Sequence, residues 1–517
     1  MFLLLGLTAL LLFVFHQCYW RRRHLPPGPF PWPFLGNALT FNKYERWEEM
    51  FLKWREEFGP VYTYWLGLLP IVSVNEFILL EETFVKNGEH FADRNSFVAF
   101  NKVTRQGSYG IIDTSGDLWR EQRRFALKTL RDFGFARNRQ EQQILDEVET
   151  IFAHLNRDIE AGIEEHNVDR YTSIATGSLI NNLICGYRYT ENGKEEEFYK
   201  LKNTTEKILN AFADPFVSLS VVSEFVAKLP VFHDRLQGMA DLFNVVFDHL
   251  DGIISEHERR FQEAIANEED FDPADFIDAF LLEKKRLEDA NDPNAHRIQL
   301  KNVCFDLWFG GQETTSANFT WAIAFLIRNP EVQRRAHEEL DRKIGGDRWI
   351  TMNDRAGGLP YIQAVIAETL RCANGTGMNI PRKTTREVEV GGFRLLAGTV
   401  VVPQISAIHA DPNLFPNPRV FDPSRFIDES GKLKSLQHIV AFSVGKRQCP
   451  GEGMARMSLF LILANLLNHF KARSSLLFIF NQLFSAGKEP PSLRKLAGGS
   501  SVQTKPFTCR LERRFAS

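Results

Sequence analysis

The chain has few cysteines and almost no net charge, and each scarcity excludes a class of protein. Its 517 residues include six cysteines, and no two of them form a Cys-x-x-Cys pair. This spacing argues against a disulfide framework or a structural zinc site, and it fits a reducing, cytosol-facing location. The formal net charge of -3 gives no general attraction to nucleic acid. The 44 phenylalanines suit instead a large core that encloses an apolar ligand.

No basic region precedes the apolar N-terminus, and no small-residue cleavage site follows it. Residues 1–15 are nearly all apolar, Tyr19 and Trp20 are typical of a membrane interface, and three arginines occupy 21–23. This pattern favours a transmembrane anchor over residues 1–20, with a cleaved signal peptide as the alternative. The arginines place the rest of the chain on the cytoplasmic side.

Nothing in the remaining chain suggests a second domain. Its length could hold roughly three average domains, yet no repeat or change of composition follows the basic and proline-rich hinge at 21–33. Pro26-Pro-Gly-Pro29 cannot continue a helix and makes a stiff, extended spacer. We therefore expect one body over residues 34–517.

The residue patterns predict a mainly helical body with a minor β part. Strand-like alternation predicts two short strands around Gly67 in 61–74 and a β-hairpin in 388–402. Helical spacing predicts helices from 119 to about 323, broken at Gly186, Pro215 and Pro230, and another helix over 352–371.

The most informative stretch is Phe442-Ser-Val-Gly-Lys-Arg-Gln-Cys-Pro-Gly451. Cys449 stands at the start of a long apolar helical pattern, beside Lys446 and Arg447. A cysteine at a helix N-terminus next to cations favours thiolate over thiol. Thiolate is the strong axial donor with which an iron porphyrin splits dioxygen.

The glycines of this stretch have separate uses. Gly445 permits a tight turn, and Gly451 lets the backbone approach a flat macrocycle. Together with Phe442 and Cys449 they fill the pattern Phe-x-x-Gly-x-x-x-Cys-x-Gly, which resembles the haem-ligand signature of cytochrome P450 monooxygenases. The alternative is a buried structural cysteine. The resemblance extends over essentially the whole chain, and it implies the mainly α P450 fold and haem b ligated by Cys449.

A second motif is Glu368-Thr-Leu-Arg371, whose acid and base are one helical turn apart. Alone, such a pair is usually an exposed salt bridge of little value. Here it precedes Phe421-Asp-Pro-Ser-Arg-Phe426 and resembles the P450 Glu-x-x-Arg pair that a downstream arginine, Arg425, completes. The resemblance implies a structural triad that holds the cysteine loop for haem insertion.

Phe309-Gly-Gly-Gln-Glu-Thr-Thr315 lies inside a strongly apolar helical pattern. Two glycines, an acid and two threonines are poor residues for a helix interior, which indicates a functional kink rather than an ordinary core helix. The stretch resembles the oxygen-binding segment of P450s, with Gly310 in place of the commoner alanine. The resemblance implies that Gly310 and Gly311 open a groove for dioxygen, while Thr314 and Glu313 deliver protons.

Four residues resemble the groups that bind the haem propionates in the family. Trp119 and Arg123 form its Trp-x-x-x-Arg pattern, and Arg382 and Arg447 correspond to the other partners. The fork of an arginine matches the geometry of a carboxylate. Arg120, Arg124, Lys128 and Arg131 are either an ordinary solvated face or a docking patch for an acidic electron donor.

The resemblance places the substrate pocket only roughly. It implies that segments 97–111, 210–222, 304–309 and 374–380 line the pocket. Five phenylalanines in these segments would make the pocket aromatic, although each could equally belong to the core: Phe100, Phe212, Phe216, Phe305 and Phe309.

Residues 474–485 are an anomalous insertion, since they are apolar, lack helical amphipathicity and stand where the family has a short connection. An exposed stretch of this kind is an aggregation hazard. Its Phe/Ile/Asn/Leu composition is what thymine- and adenine-rich DNA encodes, so our hypothesis is an unremoved, in-frame intron. A membrane-contact loop is the alternative. A genuine insertion would displace the final strand pair and one wall of the pocket.

Together the motifs imply a haem-thiolate monooxygenase of the endoplasmic reticulum membrane, similar to the microsomal animal P450s that oxidise drugs, steroids and fatty acids. No flavin or nicotinamide motif follows Cys449, so the resemblance implies electrons from NADPH through a separate P450 reductase, with cytochrome b5 as a second candidate donor. Two rivals remain: a P450 isomerase or dehydratase that needs no reductase, and a non-catalytic haem carrier or sensor. The acid-threonine pair Glu313-Thr314 argues against both.

Overall fold

The structure is a computed structural model. It describes residues 2–515 apart from 42, 45, 96, 135–137, 192, 213, 290–296, 347, 376, 475–490 and 494–502. The helices are α1 Phe2–Cys18, α2 Ala38–Phe41, α3 Trp47–Phe58, α4 Phe77–Leu80, α5 Val98–Arg105, α6 Gly116–Asp132, α7 Asn138–Glu160, α8 Val168–Cys185, α9 Glu195–Ala211, α10 Pro215–Val222, α11 Glu224–Ala227, α12 Pro230–Ala266, α13 Phe276–Asp289, α14 Arg297–Arg328, α15 Pro330–Lys343, α16 Met352–Gly358, α17 Pro360–Ala373, α18 Ile405–His409 and α19 Glu452–His469. The strands are β1 Val61–Leu66, β2 Leu69–Val74, β3 Asp93–Arg94, β4 Arg382–Lys383, β5 Val388–Val390, β6 Phe393–Leu395, β7 Val400–Pro403, β8 Phe470–Ser474 and β9 Cys509–Arg513.

Prolines and glycines set many of the helix ends. The predicted breaks are confirmed: Gly186 ends α8 in the left-handed region, and Pro215 and Pro230 are the first residues of α10 and α12. The prediction of one helix over 352–371 is wrong. The chain forms α16 and α17 there, because Pro360 starts a new helix and disfavours helical backbone at the residue before it.

The main sheet has the strand order β1-β2-β7-β4-β3. The predicted strand pair in 61–74 is confirmed, with an antiparallel register that closes at Leu66 and Leu69 around Gly67. The predicted hairpin in 388–402 is correct only for β5 and β6. The next strand, β7, leaves the hairpin and pairs in parallel with β2, with Val72 opposite Val401.

Helix α14 is the centre of the helical body. It packs against α8 along its length and also contacts α12, α17 and α19. Gly311 permits the approach of α8, because a Cβ atom at this position would lie 2.5 Å from Cδ1 of Ile180. The polar side chains of Gln312 and Glu313 are nevertheless buried in this helix. The interior of the fold therefore contains groups that hydrophobic packing alone does not require.

The N-terminal helix projects apolar side chains that the body does not cover. In the described part of the chain, Phe2–His24 is the helical stretch that is long and apolar enough to cross a membrane, with a mean hydropathy of 1.9. The hinge that follows is fixed to the body. Arg21 donates to the Leu68 carbonyl at 3.0 Å, and Thr63 of β1 donates to the Pro27 carbonyl at 2.8 Å.

The anomalous insertion begins at the end of a regular strand. Ser474 is the last residue of β8, and residues 475–485 lie outside the described residues. β8 pairs with β9 in antiparallel register, from Phe470 opposite Arg513 to Ser474 opposite Cys509. The last strand pair of the described chain thus forms with the insertion present, and the displacement of this pair and of one pocket wall stays a prediction.

Candidate active site

A backbone hydrogen bond and a tight turn fix the conformation of the loop that carries Cys449. The Cys449 amide donates to the Phe442 carbonyl at 2.8 Å, and Gly445 has a φ of +69°. A Cβ atom at Gly445 would lie 1.7 Å from the carbonyl oxygen of Phe84, in the π-helical turn Glu81–Lys86. Glycine is therefore required here both by the turn, as predicted, and by a neighbouring backbone that the sequence alone did not reveal.

The sulfur of Cys449 has both favourable and unfavourable surroundings for a thiolate. The side chain is exposed on one side, and protein surrounds it on the others. This burial raises the pKa of the thiol, as does the Glu452 carboxylate, while the backbone amides of Gly451 and Glu452 and the charge of Arg123 lower it. The balance favours the thiol until a cation binds the sulfur, since a coordinated thiol loses its proton.

The two cations beside Cys449 do not supply that charge, contrary to the sequence prediction. Lys446 forms an ion pair with Glu89 at 2.6 Å. Arg447 turns into the protein, where it donates to the carbonyls of Ala92 at 2.6 Å and Thr114 at 2.5 Å. Lys446 and Arg447 are consecutive residues of the 3₁₀ turn Gly445–Arg447, so their side chains leave it in different directions.

A cluster of arginines lies near this loop, in which Arg94, Arg382 and Arg447 are buried and Arg123 is half-buried. Burial and mutual repulsion lower the pKa of Arg447 to about 8, and they also lower the pKa of Arg382. The Arg447 guanidinium lies 3.7 Å from the centre of the Trp119 ring. Among the described residues, neither Trp119 Nε1 nor Arg382 Nη1 has a hydrogen-bond partner.

Sequence analysis missed one member of this cluster. Arg94 donates through Nε to Ile112 at 3.0 Å and through Nη1 to Ile380 at 2.9 Å. It lies in β3, directly opposite Arg382 in β4. Because the two strands are far apart along the chain, no local pattern around Arg94 indicated its place in the cluster.

The sequence-predicted segment of α14 divides between two surfaces. Gly310 and Thr314 are exposed in a helix that is otherwise mostly buried, and they lie one turn apart on the same face. The Thr314 hydroxyl donates to the Gly310 carbonyl at 2.8 Å, and a Cβ atom at Gly310 would meet no atom within 4 Å. Gly311 instead contacts Ile180 of α8. Gly310 therefore leaves open space and Gly311 permits the packing of α14 on α8, while the groove that both glycines are expected to open for dioxygen stays a prediction.

Glu313 faces a charged region rather than Thr314. Its carboxylate accepts from the Gln503 amide at 3.3 Å, and no hydrogen bond to Thr314 is present between these two described residues. Burial raises the pKa of Glu313 to about 7, and the Lys202 ammonium opposes that shift. A carboxyl group with this pKa exchanges its proton near neutral pH.

The Glu-x-x-Arg triad forms as predicted. Arg371 binds both oxygens of Glu368 at 2.7 Å, and Arg425 binds Oε1 at 3.2 Å. Arg371 also donates to the His409 carbonyl at 2.8 Å, and His409 Nε2 accepts from the Val440 amide at 3.0 Å. The triad is thereby connected to the segment that leads into the Cys449 loop.

Four of the five predicted pocket phenylalanines belong to one row of aromatic rings. Phe212 lies 5.7 Å from Phe100, which lies 5.9 Å from Phe243. Phe243 lies 5.2 Å from Phe305, which stacks on Phe309 at 5.4 Å. The row ends one residue before Gly310, on the helix that carries the exposed face.

Phe216 does not join this row, although the sequence analysis grouped it with the others. It is 41% exposed and its ring lies 5.3 Å from that of Phe232. Phe243 takes the central place that the sequence analysis did not assign. The spacing of Phe243 and Phe247 on one face of α12 was an available signal.

Comparison with known protein families agrees with these features, since the family model for cytochrome P450 matches residues 26–482. The chain belongs to the cytochrome P450 family. Cytochromes P450 2C4 and 2C16 of Oryctolagus cuniculus are 34% and 33% identical to it over 91% of this chain and 93% of each relative. Cytochrome P450 2H2 of Gallus gallus is 30% identical over the same shares. The protein is a haem-binding P450 monooxygenase that uses NADPH indirectly.

The residues present fit the haem that this P450 requires. Cys449 provides a thiol whose proton a bound cation displaces, and Trp119 and Arg382 each provide a buried donor without a partner. The guanidiniums around them repel one another, and two propionate groups would add negative charge there.

We expect Trp119→Phe to weaken haem retention, because it removes the indole donor and keeps the aromatic ring under Arg447. A hydrogen bond to a charged group contributes about 1.5–3 kcal/mol, so haem should leave about tenfold faster or more. The measurement is the rate of haem transfer from the purified protein to apomyoglobin. Trp54→Phe is the control, since Trp54 packs among Phe41, Phe51 and two tyrosines. Equal transfer rates for the two variants would contradict the assignment of Trp119.

Proposed function

We propose that this P450 inserts one oxygen atom from dioxygen into an apolar organic substrate, a xenobiotic, fatty acid or steroid. The proposed location is the endoplasmic reticulum membrane, with the catalytic body in the cytosol and NADPH-cytochrome P450 reductase as the electron donor. The observation that carries the substrate class is the row of phenylalanine rings from Phe212 to Phe309, which ends beside the exposed face of Gly310 and Thr314.

We assign the haem to the space between the Cys449 loop and α14. Bound there, the haem supplies the activation of dioxygen and the transfer of one oxygen atom. Cys449 provides the iron ligand, and Phe442, Gly445 and Gly451 shape the loop around it. The four sequence-predicted residues and one further arginine would hold the propionates, namely Trp119, Arg123, Arg382, Arg447 and Arg94.

The residues of α14 leave space for dioxygen and supply protons to it. Gly310 leaves the space that dioxygen needs, and the Thr314 hydroxyl, one turn along, is free to rotate from the Gly310 carbonyl towards a bound ligand. Glu313 supplies protons, because its pKa of about 7 allows it to release and regain one at neutral pH.

The proposed electron donor would dock on a basic face of α6. Arg120, Arg124, Lys128 and Arg131 are all exposed on this helix, and Arg123 of the same helix donates to the Gln448 carbonyl, next to Cys449. A donor bound there through acidic groups would lie close to the proposed iron ligand. The same face suits the reductase and cytochrome b5.

The test is reconstitution of the full-length protein in phospholipid vesicles with P450 reductase and NADPH under isotopically labelled dioxygen. The substrates are 7-alkoxycoumarins, lauric acid and progesterone, one probe for each proposed class. The proposal predicts products with one labelled oxygen atom and a requirement for the reductase. Product without reductase would indicate the isomerase alternative, and the absence of NADPH consumption would indicate a carrier or sensor.

We expect Phe309→Ala to impair the use of apolar substrates, because it removes the ring closest along α14 to Gly310. Loss of a buried phenylalanine contact costs about 1.5–3 kcal/mol, which corresponds to about a tenfold or larger rise in KM for the preferred apolar probe. Phe216→Ala is the matched control, since its ring is exposed and outside the row. Steady-state kinetics of both variants make the comparison, and an equal effect on KM would contradict the proposed pocket.

A further inference from the structure

A charged cleft of about 230 Å³ opens between α3 and the C-terminal end of α17, beside the Glu-x-x-Arg triad. Its walls carry charges of both signs, from Arg46, Lys53, Arg371, Arg419, Glu48, Glu49 and Glu56. Arg46 binds Glu48 at 3.1 Å, and Arg419 binds Glu49 at 3.0 Å. Walls of this kind suit a small ligand that itself carries carboxylate and ammonium groups.

Cys372 places a thiol in the wall of this cleft, directly after Arg371 of the triad. The residue is half-buried. Its sulfur accepts from Arg371 Nη2 at 2.9 Å and donates to Glu368 Oε1 at 3.6 Å. A neighbouring guanidinium stabilises the thiolate, which is the form in which a cysteine reacts. The sulfur is therefore accessible from the cleft and hydrogen-bonded to the triad at the same time.

Asn374 is a second and independent sign of a ligand in the cleft. It lines the same cleft as Cys372 and is 4% exposed. Neither its Oδ1 nor its Nδ2 atom has a hydrogen-bond partner in the described part of the chain. A buried amide without partners is costly, and its acceptor and donor match the N–H and C=O of a peptide group. The cleft therefore suits a charged ligand that contains a peptide bond.

The six cysteines all lie in the described part of the chain, and they differ in their access to a water-soluble reagent. Cys185, Cys304 and Cys509 are buried. Cys18 is the last residue of α1, the candidate membrane anchor, and Cys449 is the proposed iron ligand. We therefore expect Cys372 to be the thiol that such a reagent reaches first in the haem-loaded protein.

We propose that the cleft is a modification site, in which Cys372 forms a mixed disulfide with a small charged peptide disulfide of the glutathione class and thereby weakens haem retention. The Cys372 thiolate attacks one sulfur of the peptide disulfide. The bond between the two peptide sulfurs breaks, and a new S–S bond joins one of them to Cys372. The released peptide thiolate takes up the proton that Cys372 gave up. The peptide disulfide is the oxidant, and an excess of the peptide thiol reverses the step.

The mixed disulfide acts on the haem through the triad. It removes the S–H group that donates to Glu368, and it adds a bulky substituent next to Arg371. Arg371 also donates to the His409 carbonyl, and His409 accepts from the Val440 amide in the segment that leads into the Cys449 loop. A disturbance at the cleft therefore reaches the loop that holds the haem.

The first test maps the adduct on the full-length, haem-loaded protein in phospholipid vesicles after incubation with glutathione disulfide. Mass spectrometry of peptides prepared without reductant should locate glutathione on Cys372, and dithiothreitol should remove it. Cys372→Ser, which keeps a hydroxyl donor and acceptor at this position, should lose most of the total adduct. Adducts on other cysteines with Cys372 unmodified would overturn the proposal, and this result requires no variant.

Asn374→Gly tests recognition by the cleft, because it removes the amide while glycine retains the left-handed backbone, with its φ of +47°. The lost hydrogen bonds should slow the reaction with glutathione disulfide about threefold to tenfold. The reaction with 2-hydroxyethyl disulfide, which has no charge and no peptide group, should keep its rate. Asn417→Gly is the matched control, since Asn417 is exposed, has a φ of +53° and is outside the described lining of the cleft. Equal rates with glutathione disulfide for the two variants would overturn the recognition.

Haem transfer to apomyoglobin measures the consequence of the modification. Treatment with glutathione disulfide should make the protein without substitutions release haem faster, and dithiothreitol should restore the original rate. The same treatment should leave the rate of Cys372→Ser unchanged. An adduct on Cys372 with an unchanged transfer rate would overturn the effect on haem retention. These measurements involve no turnover, so their outcome is independent of the proposed substrates and electron donor.

Discussion

Cys449→Ser is expected to abolish monooxygenase activity while leaving the fold intact. A serine hydroxyl does not ionise near neutral pH, so the variant cannot provide the strong anionic donor that dioxygen cleavage at a haem requires. The reduced protein with carbon monoxide should lose the strongly red-shifted Soret band of a thiolate-ligated haem. Product formation with reductase and NADPH should fall to the background of the haem-free protein.

The control for this prediction is Cys18→Ser at the end of α1, where the thiol donates to the Pro31 carbonyl. It should retain the thiolate spectrum and the activity. Circular dichroism separates a changed ligand from a lost fold, since the Cys449 loop keeps its backbone hydrogen bonds and Gly445 turn in the serine variant. A red-shifted Soret band in Cys449→Ser would contradict the assignment of the iron ligand.

Motifs within a few residues were predictable from the sequence because local geometry fixes their spacing. Glu368 and Arg371 are one helical turn apart in any helix, and the structure joins them in the predicted pair. Gly310 and Thr314 likewise share one face of α14. The N-terminal helix and the mainly helical fold follow from long apolar and periodic segments, which are the strongest signals in a sequence.

Contacts between distant segments were not predictable in the same way. The place of Arg94 depends on the pairing of β3 with β4. Lys446 was expected to act on Cys449, yet the turn at Gly445 directs it to Glu89. Glu313 was expected to act beside Thr314, but its carboxylate accepts a hydrogen bond from Gln503 in the C-terminal segment instead. In each case the residue type was informative, and the partner was decided by tertiary packing.

Glu368→Gln is expected to cost the protein its haem. Glu368 is fully buried and pairs with both Arg371 and Arg425, so the amide leaves the buried Arg371 and the half-buried Arg425 without this counter-charge. Breaking a buried ion pair in this way costs about 3–5 kcal/mol. Because Arg371 also holds His409, which binds Val440, the loss should extend to the Cys449 loop. We expect haem per protein to fall at least about tenfold, measured by the pyridine haemochrome assay.

A matched control exists on the protein surface. Arg394 binds both oxygens of Glu387, at 2.6 and 2.7 Å, with nearly the same geometry as Arg371 and Glu368. That pair is solvent-exposed, and water replaces its hydrogen bonds when one partner is removed. Glu387→Gln should therefore keep its haem and its melting temperature. Full haem content in Glu368→Gln would show that the Cys449 loop keeps its structure without the triad. Equal losses of haem in both variants would show that burial does not determine the cost of breaking the ion pair. The comparison tests burial directly, since the two pairs share their chemistry and differ in their access to water.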